Sequence, residues 1–281
     1  MKTYIKLMVL FFTITACEDV IEVPVQTAPS RLVVEASLDW EKGTSGNVQT
    51  IKLSTSTSFF NTDGNTAVTG ASVQVTNDTD GTVFLFTDQN DGTYLTESFI
   101  PIIGASYTLN IIHDGETYNA NETLNAVPEL TEIYQAREDG FDEEKLEVHL
   151  VFTDPAEEGN AYLFKFQKEG ELLPDLEVAN DKFINGKEID WWYEIEEDED
   201  TEEIEVFEPG DIVNIEFYGI SEAYNDYIEI LISQLGGVGL FEAVPVAVKG
   251  NCINVTNPEN YAHGYFRVTE VVKASYTFVE D

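Results

Sequence analysis

Any chemistry in this chain would have to start from carboxylates. Of its 281 residues, 53 are Asp or Glu, against 14 Lys or Arg and three His, for a formal net charge of -39. Paired carboxylates can hydrolyse glycosides, and calcium takes six to eight oxygen ligands, so the raw material for both is present. With this many acids some pair always lies close, and a carboxylate-based hydrolase would also need a cleft with one desolvated carboxyl. The densest run is Glu194–Glu208, with ten carboxylates in fifteen residues. It reads either as a cation-binding or partner-docking loop, or as a solvated hairpin tip whose like charges repel. Calcium remains open for it, but the Asp-x-Asp-x-Asp-Gly spacing that would fix ligand geometry is absent. Asp88, Asn90 and Asp91 look superficially like a calcium loop, and a tight turn at Gly92 accounts for them.

Other reactive side chains are sparse. His113, His149 and His263 lie far apart in sequence, without the short spacing of a metal pair. No Gly-x-Ser-x-Gly elbow occurs. Gly236-Gly237-Val238-Gly239 follows a helical pattern instead of preceding one, so it reads as a cap and loop, not a dinucleotide fingerprint. Cys252 reads as a small buried hydrophobe before a nucleophile. Trp191-Trp192-Tyr193 offers aromatic faces that bind sugars or peptide anchors, or else a strand edge covered by neighbouring structure. The expectation is therefore no catalytic residue, no metal ligand and no cofactor. A field this negative also repels phosphate backbones, so no nucleic-acid partner is expected.

Cys17 is the one residue with a defined chemistry. Lys2 and Lys6 precede an apolar run, Leu7 to Ala16, that is too short to span a bilayer. The run ends in Ile14-Thr15-Ala16-Cys17, which resembles a bacterial lipobox. Small side chains admit the extended segment to a peptidase, and the thiol accepts a diacylglycerol thioether. An ordinary secretory signal with a chance Cys is the alternative. Residues 1–16 are thus expected to be a lipoprotein signal peptide, with Cys17 carrying diacylglycerol and N-acyl chains; two or more chains anchor stably. Losing Lys2 and Lys6 leaves 12 basic residues against 53 acidic ones, a net charge of -41. Glu18 and Asp19 resemble a surface-export signal. Residues 17–30, with Pro24 and Pro29, read as a tether.

The elements that follow are mostly short strands separated by turns, and 43% apolar residues are enough for a sizeable core. Expected strands are Leu32–Leu38, Val48–Leu53, Ala71–Thr76, Thr82–Phe86, Thr93–Thr96, Ser106–Ile112 and Thr117–Thr123. They form an immunoglobulin-like β-sandwich over residues 31–126. A boundary falls at Asn125–Leu130. The second domain, 127–281, is β-rich and barrel- or sandwich-like, with strands at Glu132–Ala136, Leu146–Phe152, Ala161–Gln167, Ile212–Tyr218, Tyr265–Thr269 and Val271–Phe278. It carries one α-helix near 222–235. Ser221 caps that helix, and Tyr224, Tyr227, Ile228, Leu231 and Leu235 recur at helical spacing, so it covers a sheet face or plugs a barrel end.

Several segments together resemble the Bacteroidota lipoprotein family catalogued as domain of unknown function 4249. They are Cys17-Glu18-Asp19-Val20-Ile21, Arg31-Leu32-Val33-Val34-Glu35, Phe152-Thr153-Asp154-Pro155-Ala156 with Asn160-Ala161-Tyr162, Ser221-Glu222-Ala223-Tyr224, and Gly250-Asn251 with Gly264-Tyr265-Phe266. The acidic Glu194–Glu208 insertion, and Cys252 after the Gly-Asn pair, depart from that pattern. The resemblance implies a cell-envelope lipoprotein encoded beside TonB-dependent transporters, with no catalytic residue to carry over. The expected function is a non-enzymatic accessory or ligand-presenting partner of such a transporter, anchored on either face of the outer membrane. A cation-dependent structural or adhesive surface module is the alternative, and a carboxylate-based hydrolase a more distant one.

Overall fold

The computed structural model describes residues 28–58, 66–137, 145–195, 206–235 and 248–280. The chain divides into two compact units, Met1–Ser30 with Thr57–Gly64, and Arg31–Ser56 with Asn65–Asp281. The architecture below is that of the second. Its strands are β1 (Leu32–Glu41), β2 (Gln49–Thr55), β3 (Ser72–Asn77), β4 (Val83–Asp88), β5 (Thr93–Thr96), β6 (Ser106–His113), β7 (Glu116–Thr123), β8 (Leu130–Ala136), β9 (Glu147–Thr153), β10 (Ala161–Lys168), β11 (Asp175–Asn180), β12 (Glu188–Tyr193), β13 (Ile212–Ile220), β14 (Ile253–Asn254) and β15 (His263–Thr277). The helix α1 spans Glu222–Leu235.

Alternation in the first strands decides which face is buried. Leu32, Val34, Ala36 and Leu38 of β1 point inward, as do Val73 and Val75 of β3 and Tyr107, Leu109 and Ile111 of β6. One layer runs β15-β1-β2-β5 and the other β4-β3-β6-β7-β14; the end of β4 pairs with β5 and so links the two. Between them lies a continuous apolar core in which Phe99 packs on Phe84 and Tyr107. This is an immunoglobulin-like sandwich.

The second core lies between the sheet β11-β10-β13-β15 and the three-stranded sheet β12-β9-β8. Val148, Leu150 and Phe152 of β9 face Phe164, Phe166 and Phe217 across it. The second region is therefore sandwich-like. Its outer face is covered by α1, where Tyr224 and Ile228 pack on Leu163, Tyr218 and Val271. The Ser221 hydroxyl accepts from Tyr224 N at 3.1 Å, the expected cap.

Three features differ from the sequence reading. The expected strands Tyr265–Thr269 and Val271–Phe278 are one strand, β15. Its first half pairs in parallel with β1 (Val33 with His263 through Glu41 with Val271), and its second half pairs antiparallel with β13. Glu270, which reads as a break, is buried because Lys42 and the Val127 N–H meet its carboxylate at 3.6 and 3.0 Å. Strand β11 was not anticipated, and the strand expected at Trp191-Trp192-Tyr193 is β12, which begins at Glu188. Finally, Cys252, Ala262, Phe266 and Val268 belong to the first core, so residues after 127 do not all contribute to the second. A single fifteen-residue strand is long enough to edge both.

Candidate functional site

The sequence-nominated residues do not converge. Cys17, Gly236–Gly239 and most of the acidic run, residues 196–205, lie outside the described residues. Of the run's ends, Glu194 is buried and Glu208 exposed. Cys252 is buried in the first core, and desolvation pushes its thiol up to about 12, so it is protonated at neutral pH. Trp191 and Tyr193 turn inward from β12, the outermost strand of its sheet, and stack on Phe164 and Phe166 at 4.7 and 4.1 Å between ring centres. They are core anchors.

His149 sits on the opposite face of β9 from that core. Its ring is 1% exposed, stacked on Tyr134, with Nδ1 2.8 Å from an Asp190 oxygen and Nε2 3.1 Å from a Glu147 oxygen. His113 is on β6 and His263 opens β15. No group of three His, Cys, Asp or Glu able to hold a metal occurs among the described residues.

What the fold brings together instead are the segments that carry the family resemblance. Asn251 clamps β15: its amide donates to the Phe266 carbonyl at 2.7 Å, and its oxygen accepts from Phe266 N at 2.8 Å. A Cβ at Gly250 would overlap the Gly264 carbonyl oxygen, and one at Gly264 would overlap the Val34 carbonyl of β1. Gly264 also has φ +87°, a conformation that favours glycine. These three close approaches explain why Gly-Asn, Gly-Tyr-Phe and the β1 sequence occur together. Asp154 plays a similar part elsewhere: it accepts from the Tyr162 hydroxyl and from Gly186 N.

Ser221 links the helix cap to β7 by donating to Glu122 at 3.0 Å. Glu122 is buried, and desolvation holds its carboxyl above the ordinary range. Tyr224 then accepts from Arg267 at 3.0 Å. The Arg267 guanidinium is buried, contacts both carboxylate oxygens of Asp39, and lies 4.7 and 5.1 Å over the rings of Tyr218 and Tyr224.

Against this rigid seam of α1, β15 and the 248–251 segment lies an open groove of about 370 Å³. Ala223, Asp226, Tyr227 and Ile230 come from the helix, Tyr265 from β15, and Lys249 and Asn251 from the loop. Tyr265 packs on Tyr224 and Tyr227 at 4.8 Å. The groove can hold a small apolar or aromatic group beside one cation. Next to it, Tyr261 carries Arg31 3.7 Å and Lys249 4.3 Å from its ring centre, with the His263 ring edge-on at 5.4 Å. Burial and the Arg31 charge hold the His263 imidazole below its ordinary range. Sequence reading missed this cluster because its members lie 218 positions apart, from Arg31 to Lys249. The available signal was the scarcity of bases, only 14 in the chain.

Fold and seam define a tandem β-sandwich protein with a helix-covered outer face. The chain belongs to the family described as Domain of unknown function (DUF4249), which matches residues 18–275. No curated protein matches it. Among solved structures, it is similar to a two fibronectin type-III domain segment of chicken tenascin (10% identity, 61% of this chain and 84% of that one, TM-score 0.22). It is also similar to the chicken CNTN1 FN1–FN3 domains (11%, 62% and 56%, TM-score 0.21), and to a DUF4785 family protein of Legionella pneumophila (11%, 67% and 51%, TM-score 0.26).

Proposed function

We propose that this chain is a lipid-anchored outer-membrane protein that assists a TonB-dependent transporter by binding, without catalysing a reaction of its own. The observation that carries this reading is Cys17, placed behind Ile14-Thr15-Ala16 at the end of a short apolar run and fifteen residues before the first residue of β1, Leu32. Diacylation there holds a folded β body at the bilayer surface. The seam beside the groove fits a presenting surface, since Asn251, Ser221 and Arg267 fix backbone and rings around it.

Two measurements test the reading. The intact mass of the chain purified from envelopes should match cleavage before Cys17 plus two or three acyl chains, and Cys17→Ser should remove the acyl mass. Under mild detergent the wild-type chain should bring down a transporter barrel. An unacylated mature N-terminus refutes the anchor, and repeated recovery without a transporter refutes the partnership.

A further inference from the structure

Lys42, Lys52, Lys165, Lys168, Arg267 and Lys273 each pair with a carboxylate. Among the described residues Arg31, Lys182, Lys187 and Lys249 have no ion pair, and of these Arg31 and Lys249 come together at one place. Both are held on the Tyr261 ring, and the two ring distances bound their charges at about 8 Å apart. Like charges this close repel.

The donors are also largely unspent. Arg31 uses Nη1 on the carbonyl oxygens of Glu259 and Tyr261, at 2.8 and 3.4 Å, which leaves the N–H groups on Nε and Nη2. Lys249 Nζ makes no hydrogen bond among the described residues, and its side chain is exposed. The surroundings of His263 agree independently: Arg31 is the charged group acting on that imidazole, and no carboxylate offsets it.

We propose that Arg31, Lys249, Tyr261 and His263 form a binding site for a phosphate-type oxyanion. Tyr261 sets the spacing of the two cations. A phosphate group that reaches both accepts charge-assisted hydrogen bonds from them, each about 2.8 Å long. His263, half-buried at the edge of the same ring, lies where it responds to the bound charge. The groove lined by Tyr227 and Tyr265 shares Lys249 and takes the organic part of a phosphate ester. Two sources carry this chemistry, a soluble phosphate ester and a lipid headgroup. The headgroup source rests on the proposed anchor at Cys17; the oxyanion site does not.

The test uses the full chain with Cys17→Ser, which removes the anchor from the measurement, and inorganic phosphate as the probe at constant ionic strength. Histidine imidazole resonances are followed by NMR across pH. Phosphate is expected to move the His263 titration upward, because added negative charge favours the imidazolium, with His113 and His149 unmoved. Lys249→Gln should weaken the response at least tenfold, and Lys249→Glu should abolish it, both at unchanged melting temperature because Lys249 is exposed. A His263 midpoint indifferent to about 20 mM phosphate, well above a millimolar Kd, overturns the site. A response that survives Lys249→Glu overturns it equally. Co-sedimentation of the same protein with phosphatidylglycerol vesicles, lost in Lys249→Glu, assigns the lipid source; a His263 response without co-sedimentation assigns the soluble one.

Discussion

Replacing one member of the Arg267–Asp39 pair should cost more when the orphan left behind is the deeper group. The Arg267 side chain is 6% exposed and that of Asp39 29%. Asp39→Asn keeps the shape and removes the countercharge, which strands a guanidinium that water cannot reach. Breaking a buried pair in this way costs about 3–5 kcal/mol. The exposure of Asp39 means its bonds were partly screened, so the lower end, about 3 kcal/mol, is expected. Arg267→Met leaves a carboxylate that water can solvate and a Tyr224 hydroxyl without its donor, about 1 kcal/mol. Lost cation–π contacts to Tyr218 and Tyr224 are offset in part by sulfur–aromatic packing, for a total of about 1–2 kcal/mol. Urea unfolding followed by aromatic fluorescence measures both, and for a body of this size Asp39→Asn should melt roughly 6–12 °C lower. The double variant should be less unstable than the two losses added. If Arg267→Met proves as damaging as Asp39→Asn, differential burial of the orphan is the wrong account of this pair.

Gly250→Ala should prevent folding to a soluble product, because its Cβ would overlap the Gly264 carbonyl oxygen and both segments are backbone held by Asn251; soluble expression at the wild-type level would contradict this. Cys252 should resist a maleimide at pH 7.5 and react at once in denaturant, since its thiol titrates at about 12 when folded; fast native labelling would show that the core opens. Glu122 has a raised folded pKa, so the folded state binds its proton more tightly than the unfolded chain. Stability from this group is present below the unfolded value and falls as pH rises through the folded one. Glu122→Gln, which keeps an acceptor for Ser221, should therefore melt higher than wild type at pH 7 and level with it near pH 4. A lower melting temperature at pH 7 would refute the linkage.

Much of the fold could be read locally. The alternation Tyr107, Leu109, Ile111 needs only a pleated strand with one buried face, and Ser221 before Tyr224, Tyr227 and Ile228 needs only a cap and a 3.6-residue period. Strand β11, Asp-Leu-Glu-Val-Ala-Asn, escaped because it is an edge strand whose residues are all half-buried or exposed, so no apolar face stands out. Strand β15 was read as two because Glu270 looks like a surface residue until Lys42 and the Val127 amide are placed around it. Parallel pairing of the first strand with the last leaves no local trace at all. The same holds for the candidate site: Arg31, Lys249 and Tyr261 are ordinary residues in their own neighbourhoods, and only the β1–β15 register puts them around one ring. Gly250, Asn251 and Gly264 were legible as a recurring pattern, but their purpose, backbone contact, required the coordinates.

The place of β15 in the chain has a consequence for biogenesis. Strand β1 is made more than two hundred residues before β15, yet the two pair along nine residues. A chain threaded through a membrane from its N-terminus would deliver β1 more than two hundred residues ahead of its partner, with one edge open. Neither core could close until the end of the chain had arrived. Truncation even a few residues into β15 would forfeit both halves together.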